Sequence, residues 1–157
     1  MAVVGKVYIE KFDRKIAEYN HSRPLPDYFK DLIGDKKEVV IAELGAGLLN
    51  TIGDKLDGVT VKVYPSDILA KEYLQLFKEH NVIPYQELEY QDMENLTYPN
   101  EMFDIVHCRN AIDHTPDLHK AISEMKRVCK VGGIVYLAHS PSQKKRFKGH
   151  HSWNIEE

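Results

Sequence analysis

Apolar positions along the chain switch between two periods. Phe12, Ile16 and Tyr19 fall at i, i+4 and i+7 and predict a helix with one buried face. The stretch His21-Ser22-Arg23-Pro24-Leu25-Pro26 breaks it. A second short helix is expected over 27–33, burying Phe29 and Leu32 or Ile33, with Gly34 as its stop. Val39, Val40, Ile41 and Ala42 form a continuous apolar run, the pattern of a parallel strand buried on both faces. A glycine turn follows, then a segment expected to be helical over 48–56 and a turn at Asp57-Gly58. Val59, Val61 and Val63 alternate, predicting a second strand that runs into Tyr64-Pro65-Ser66-Asp67. Leu69, Tyr73, Leu76 and Phe77 share a helical face that ends at His80-Asn81. A third strand is expected over 83–89. A fourth opens at Phe103, Ile105 and Val106 and ends at Cys108-Arg109-Asn110. Thr115 is the expected cap of the next helix, with Pro116 in its first position. Leu118, Ile122, Met125 and Cys129 make its apolar face, Lys126, Arg127 and Lys130 oppose its dipole, and Gly132-Gly133 end it. Residues 134–138 give a fifth strand.

Strands alternating with helices imply an α/β fold with a parallel, doubly wound sheet. A length of 157 residues fits one domain. The formal charge of −3 gives no basic excess of the kind nucleic acid selects. Cys108 and Cys129 have neither disulfide nor metal spacing and read as reduced thiols of a cytoplasmic protein. No stretch is long and apolar enough to span a membrane, and no signal peptide is visible.

Candidate chemistry centres on residues 39–50. The strand closes at Glu43, and Gly45 and Gly47 follow. Glycines here let backbone approach a ligand closely. A dinucleotide fingerprint needs a third glycine where Asn50 stands, so it fails. A carboxylate at the strand end suits a ligand with an ammonium group and no phosphates. Asp67 lies 20 residues beyond Gly47, where such βαβ sites grip a nucleoside ribose. Its alternative role is to cap the following helix.

These features resemble the class I S-adenosylmethionine-dependent methyltransferases. Their first motif is Glu-x-Gly-x-Gly-x-Gly, matched by Glu43, Gly45 and Gly47 with Leu49 at the last glycine. The text Cys-Arg-Asn-Ala-Ile-Asp-His-Thr-Pro-Asp after strand four, and Arg-Val-Cys-Lys-Val-Gly-Gly later, is close to the family's usual wording. The resemblance covers about 39–139. It implies strand order 3-2-1-4-5 with helices on both faces, and S-adenosylmethionine as cofactor, leaving S-adenosylhomocysteine. It implies a cofactor-binding set of Glu43, Gly45, Ala46, Gly47, Asp67, Ile68, Asp92, Met93 and Asn110, with Asp92 on the adenine amino group and Met93 flanking the ring. Tyr19 and Arg23 match residues of an N-terminal lid over the methionine end; plain packing against the sheet is the competing role.

A sulfonium already makes the methyl group electrophilic, so positioning does most of the work, with effective molarities of about 10⁵–10⁸ M available. A general base is needed only for a hydroxyl or protonated amine acceptor. His114 and Asp113, after strand four, are the best-placed candidates, and His139 is a weaker one. No metal-ligand cluster is visible, and the adjacent His150-His151 pair reads as surface. The expected acceptor is a small molecule, a glycan or another metabolite. Nucleic acid is disfavoured because Arg109-Asn110-Ala111-Ile112 replaces an Asn/Asp-Pro-Pro-aromatic element, and the basic run 144–148 reads as a solvated tail. A domain that binds cofactor without turnover is the other reading.

The chain thus divides into a helical lid (1–34), a Rossmann-like core (39–139) and a tail (140–157). Full-length relatives carry two more strands as a C-terminal hairpin, for which the tail is too short. Strand five then becomes an apolar edge. The expectation is a fragment of a longer protein, self-association through that edge, or cover from the tail through Phe147 and Trp153.

Overall fold

The computed structural model describes residues 12–140 and 152–153. Its elements run α1 (Phe12–Tyr19), α2 (Tyr28–Ile33), β1 (Glu38–Leu44), β2 (Thr60–Asp67), α3 (Ala70–Glu79), β3 (Glu89–Tyr90), β4 (Phe103–Arg109), a 3₁₀ turn (Ile112–His114), α4 (Leu118–Val128) and β5 (Cys129–Ala138). The strands form one sheet in the order β3-β2-β1-β4-β5, and every pairing is parallel. This is the expected topology.

Alternation along β1 and β4 explains the layering. Val39 and Ile41 of β1 and Ile105 of β4 point to one face, where α2 covers them with Phe29 and Ile33. Ala42 and Leu44, with Val106 and Cys108, point to the other, under Ala121, Met125 and Val128 of α4. Both central strands therefore carry buried apolar side chains on both faces, as the continuous run at 39–42 requires. Phe29 and Met125 are fully buried, each worth about 1.5–3 kcal/mol. A third cluster joins α1 to α3, with Phe12 edge-on to Phe77 at 5.9 Å.

Four local expectations are corrected. Residues 48–56 form no helix. The Asn50 side chain accepts from the backbone N–H groups of Ile52 and Gly53 at 2.8 and 3.2 Å, an Asx-type turn that competes with helical bonding. Gly53 sits at φ +81, and a Cβ there would lie 2.3 Å from the Pro24 carbonyl oxygen, so the N-terminal segment packs directly on this turn. The third strand shrinks to Glu89–Tyr90. Residues 83–85 pair instead with Asn20, which donates to the Ile83 carbonyl and accepts from the Tyr85 N–H. Asp117, not Thr115, caps α4: its carboxylate accepts from the N–H groups of His119 and Lys120, both at 3.1 Å. Thr115 closes the 3₁₀ turn by donating to the Ile112 carbonyl. Finally, α4 stops at Val128, and Gly132-Gly133 lie inside β5, where the register with β4 shifts between Phe103 and Ile105.

Arg127 has a larger role than its place near the end of α4 suggests. It donates to both oxygens of Glu124 and to the carbonyls of Leu96 and Tyr98, tying the 94–100 loop to α4. At the tail, Ser152 and Trp153 donate backbone N–H groups to the Asp113 carbonyl, and the Trp153 indole donates to the Thr115 carbonyl at 2.8 Å. Trp153 is therefore seated on the turn after β4. Phe147, the basic run 144–148 and His150-His151 lie outside the described residues, as does most of the stretch where a C-terminal hairpin is in question. Among the described residues β5 is an edge strand, with Val131 and Leu137 exposed.

Candidate functional site

In an open parallel sheet ligands bind beyond the carboxyl ends of the strands, where the strand order reverses. Here that point lies between β1 and β4. The chain turns sharply at the end of β1, with Gly45 at φ +70 and Gly47 at φ +72. Gly45 has no room for a side chain: a Cβ would stand 2.2 Å from Ala111 Cβ and 2.9 Å from Met93 Cε. The loops after β3 and β4 thus close directly on the glycine turn. Ala46 donates its N–H to the Ser66 carbonyl at 3.0 Å, fixing the turn to the end of β2.

Asp67 completes that attachment. One carboxylate oxygen accepts the Gly47 N–H and the other accepts the Leu69 N–H, both at 2.9 Å. The N-cap of α3 is Leu69, so Asp67 braces the two turns rather than occupying the cap itself. Each oxygen keeps capacity for a further hydrogen bond. Burial raises its pKa, partly countered by those two N–H groups. Ile68 beside it is 53% exposed, an apolar side chain open at the crevice rim. Asp92 accepts the Glu94 N–H at 2.9 Å in a turn of its own, and Met93 next to it is half-buried against Gly45.

Glu43 is buried at 3% exposure. Its Oε1 accepts from Thr51, both the hydroxyl at 2.9 Å and the backbone N–H at 3.3 Å. Its Oε2 is buried with no hydrogen-bond partner. Burial pushes the carboxyl up to about 7, against the opposing pull of Thr51 and Arg23. Arg23 reaches this loop from the N-terminal segment, donating to the carbonyls of Asn50 and Thr51 and lying 4.7 Å over the Tyr19 ring. Tyr19 and Arg23 therefore hold the loop that holds Glu43.

On the β4 side, Asn110 has φ +52 and staples two strand ends, its N–H donating to the Ala138 carbonyl and its Oδ1 accepting the Ser140 N–H. Asp113 is fully buried between two histidines, with His139 Nε2 3.4 Å from one oxygen and His114 Nε2 3.9 Å from the other. The His114 side chain is 46% exposed, while that of His139 is 6% exposed. Sequence reasoning singled out Asp113 and His114 but not their link to His139, because the three meet only when β4 and β5 lie side by side. Thr51 and Ala111, which lock Glu43 and close over Gly45, carried no signal at all.

The donor set is distinctive. Glu43, Asp67 and Asp92 line the glycine turn and neighbouring strand ends, and no metal-binding group of three or more His, Cys, Asp or Glu occurs among the described residues. No helix among them is long and apolar enough to cross a membrane. Residues 44–137 match the family model described as a methyltransferase domain. A phosphatidylethanolamine N-methyltransferase of Cereibacter sphaeroides is 30% identical over 94 residues, 60% of this chain and 46% of that protein. A sterol 24-C-methyltransferase of Gibberella zeae is 27% identical over 134 residues, 81% of this chain and 33% of that one. The chain thus spans less than half the length of these curated relatives. Among solved structures, a Bacillus halodurans protein assigned as a methyltransferase superposes with TM-score 0.60 at 23% identity, covering 81% of this chain and 62% of that one. The trans-methyltransferase CalH, solved with S-adenosylhomocysteine, gives 0.54 at 19%, covering 74% and 36%.

Proposed function

Because the chain belongs to the methyltransferase-domain family, we propose that it binds S-adenosylmethionine over the carboxyl ends of β1, β2 and β4 and transfers the methyl group to a small-molecule or glycan acceptor. One observation carries the reading: Asp67 is bonded to the Gly47 N–H, so a ribose-type carboxylate and the glycine turn form one rigid unit beside the switch point. When bound, the cofactor supplies a methyl group made electrophilic by its sulfonium. The protein supplies position. Glu43 is suited to the ammonium group, and the Gly45-Ala46-Gly47 backbone allows close approach. Asp67 is suited to the ribose hydroxyls with Ile68 beside it, and Asp92 to the adenine amino group with Met93 against the ring. Asn110 fixes the far wall. Tyr19 and Arg23 act on the methionine end through the loop they hold.

His114 is the proposed base for an acceptor that must lose a proton, with Asp113 orienting it. The place of His114 at the end of the 3₁₀ turn after β4, with its side chain 46% exposed, supports this. Both curated relatives carry names of lipid-directed enzymes, which favours a small-molecule acceptor over nucleic acid. The absence of disulfides among the described residues is in keeping with a cytoplasmic setting. The exposed outer side of β5 is the proposed surface for self-association. A second reading is cofactor binding without turnover of its own.

Calorimetry with S-adenosylmethionine and NAD tests the cofactor assignment. Binding of the first alone is expected, and binding of NAD alone would overturn it. Methyl transfer to a panel of lipid, amine and hydroxyl metabolites separates turnover from binding. In an active preparation, His114→Ala is expected to lower kcat about 10²-fold or more with little change in cofactor affinity. Unchanged turnover would remove His114 from the reaction.

A further inference from the structure

Glu43 on β1 and His107 on β4 are register partners on the two strands that flank the switch point. In-register neighbours on parallel strands project from the same sheet face, about 4.8 Å apart. His107 is completely buried. Its Nε2 shares a 3.0 Å hydrogen bond with the hydroxyl of Tyr28 on α2. The ring is fixed further by Tyr136, parallel at 5.3 Å, and by Phe29 at 5.5 Å. Its other nitrogen, Nδ1, nearer the backbone, is buried with no hydrogen-bond partner. Glu43 Oε2 is in the same condition. Two orphaned polar atoms on adjacent strands, in register and on one face, are rare in a native interior unless something completes them.

We propose that His107 is a cofactor-binding residue: its Nδ1 and Glu43 Oε2 together receive the ammonium group of the cofactor's amino-acid end, and Tyr28 positions the imidazole for it. The inference rests on the cofactor reading above and adds two residues to it. Burial, aided by the charge of Arg109, holds the His107 imidazole down at about 4, so at neutral pH it is uncharged and does not repel a cation. A neutral ring has one donor and one acceptor nitrogen. With Nε2–H donating to the Tyr28 oxygen, Nδ1 is left as the acceptor. A carboxylate and a neutral imidazole form a site for a hydrogen-bonding cation and leave a phosphate without a donor.

The test compares ligands that differ at that end. S-adenosylhomocysteine carries the amino-acid group, decarboxylated S-adenosylmethionine keeps the amine alone, and 5′-methylthioadenosine has neither. His107→Phe retains a stacking ring and removes both nitrogens. It is expected to weaken the first two ligands about tenfold or more by calorimetry, while 5′-methylthioadenosine changes less than twofold. His107→Asn, which offers an acceptor oxygen, is expected to restore part of the loss. Should the Phe variant not fold, Tyr28→Phe on the half-buried α2 position decides alone. It is expected to weaken the two amine-bearing ligands several-fold and leave 5′-methylthioadenosine unchanged. Equal affinity for S-adenosylhomocysteine in parent and variants would overturn the proposal while leaving the cofactor reading intact. So would an equal loss for all three ligands. A parent chain that binds none of the three would overturn both.

Discussion

Replacing Gly45 by alanine probes the packing on which the crevice depends. The new methyl group would stand 2.2 Å from Ala111 Cβ and 2.9 Å from Met93 Cε. Carbon atoms in contact prefer about 3.5–4.0 Å, so the loop after β4 must retreat by more than an ångström. Met93 ends in a flexible thioether and can swing aside. Ala111 cannot, because its Cβ moves only with its backbone. Overpacking of this kind costs about 1–3 kcal/mol. The backbone adds to it: at φ +70 an L side chain meets its own carbonyl, for about 1–2 kcal/mol more. The expected total of about 2–5 kcal/mol is a large part of the net stability of a typical domain, about 5–15 kcal/mol. Urea unfolding followed by circular dichroism measures it. With m near 1–3 kcal/mol/M, the midpoint should fall by about 0.7–5 M. The double variant Gly45→Ala, Ala111→Gly removes the closest contact and keeps the backbone strain. It should regain about 1–2 kcal/mol relative to the sum of the two single variants, a coupling that distant sites do not display. A Gly45→Ala chain as stable as its parent, or strictly additive effects, would refute the claim that these two loops are packed methyl to backbone.

Three further outcomes follow from the site. Glu43→Gln keeps the acceptor oxygen for Thr51 and removes the charge. The folded carboxyl titrates at about 7 against an unfolded value of 4.5, so the folded state holds its proton longer. That makes stability greatest below about 4.5 and lowers it as pH rises to 7, by up to about 3 kcal/mol. The depressed imidazole of His107 works in the opposite direction, raising stability between about 4 and 6.5, so the quantity to measure is parent minus variant in urea titrations from pH 4.5 to 8. A difference that does not change with pH would remove Glu43 as a buried titrating group. Asp67→Ala loses both N–H bonds, to Gly47 and Leu69, and should cost about 1–3 kcal/mol of stability together with at least tenfold in S-adenosylhomocysteine affinity; unchanged affinity would leave Asp67 a brace alone. Cys108 is buried with its thiol pushed up to about 12, and Cys129 is buried as well, so a disulfide reagent should label neither in the native protein and both in urea. Labelling at mixing speed in buffer would contradict the packing of β4 against α4.

Much of the architecture was set locally. A continuous apolar run at 39–42 and the apolar Phe103, Ile105 and Val106, flanked by helices with one apolar face, leave few arrangements besides a parallel sheet buried on both sides. The order of its strands, 3-2-1-4-5, was implied by the family resemblance rather than by the local pattern. The glycine turn and the acid 20 residues beyond Gly47 were legible for the same reason: both lie at fixed places within one βαβ unit.

The tertiary structure decided what depends on distant partners. Residues 48–56 have a helix-compatible pattern, yet Arg23 takes the carbonyls of Asn50 and Thr51, and Pro24 presses on Gly53. Residues 83–85 read as strand, yet Asn20 takes their hydrogen bonds and leaves Ile83 exposed. Asp113 and His139, like Glu43 and His107, become neighbours only through strand register, which periodicity along a chain does not encode. Local pattern determines which face of a segment is apolar. Which polar groups then share the crevice is settled by the pairing of strands distant in sequence, because a buried polar atom takes the partner that folding brings to it.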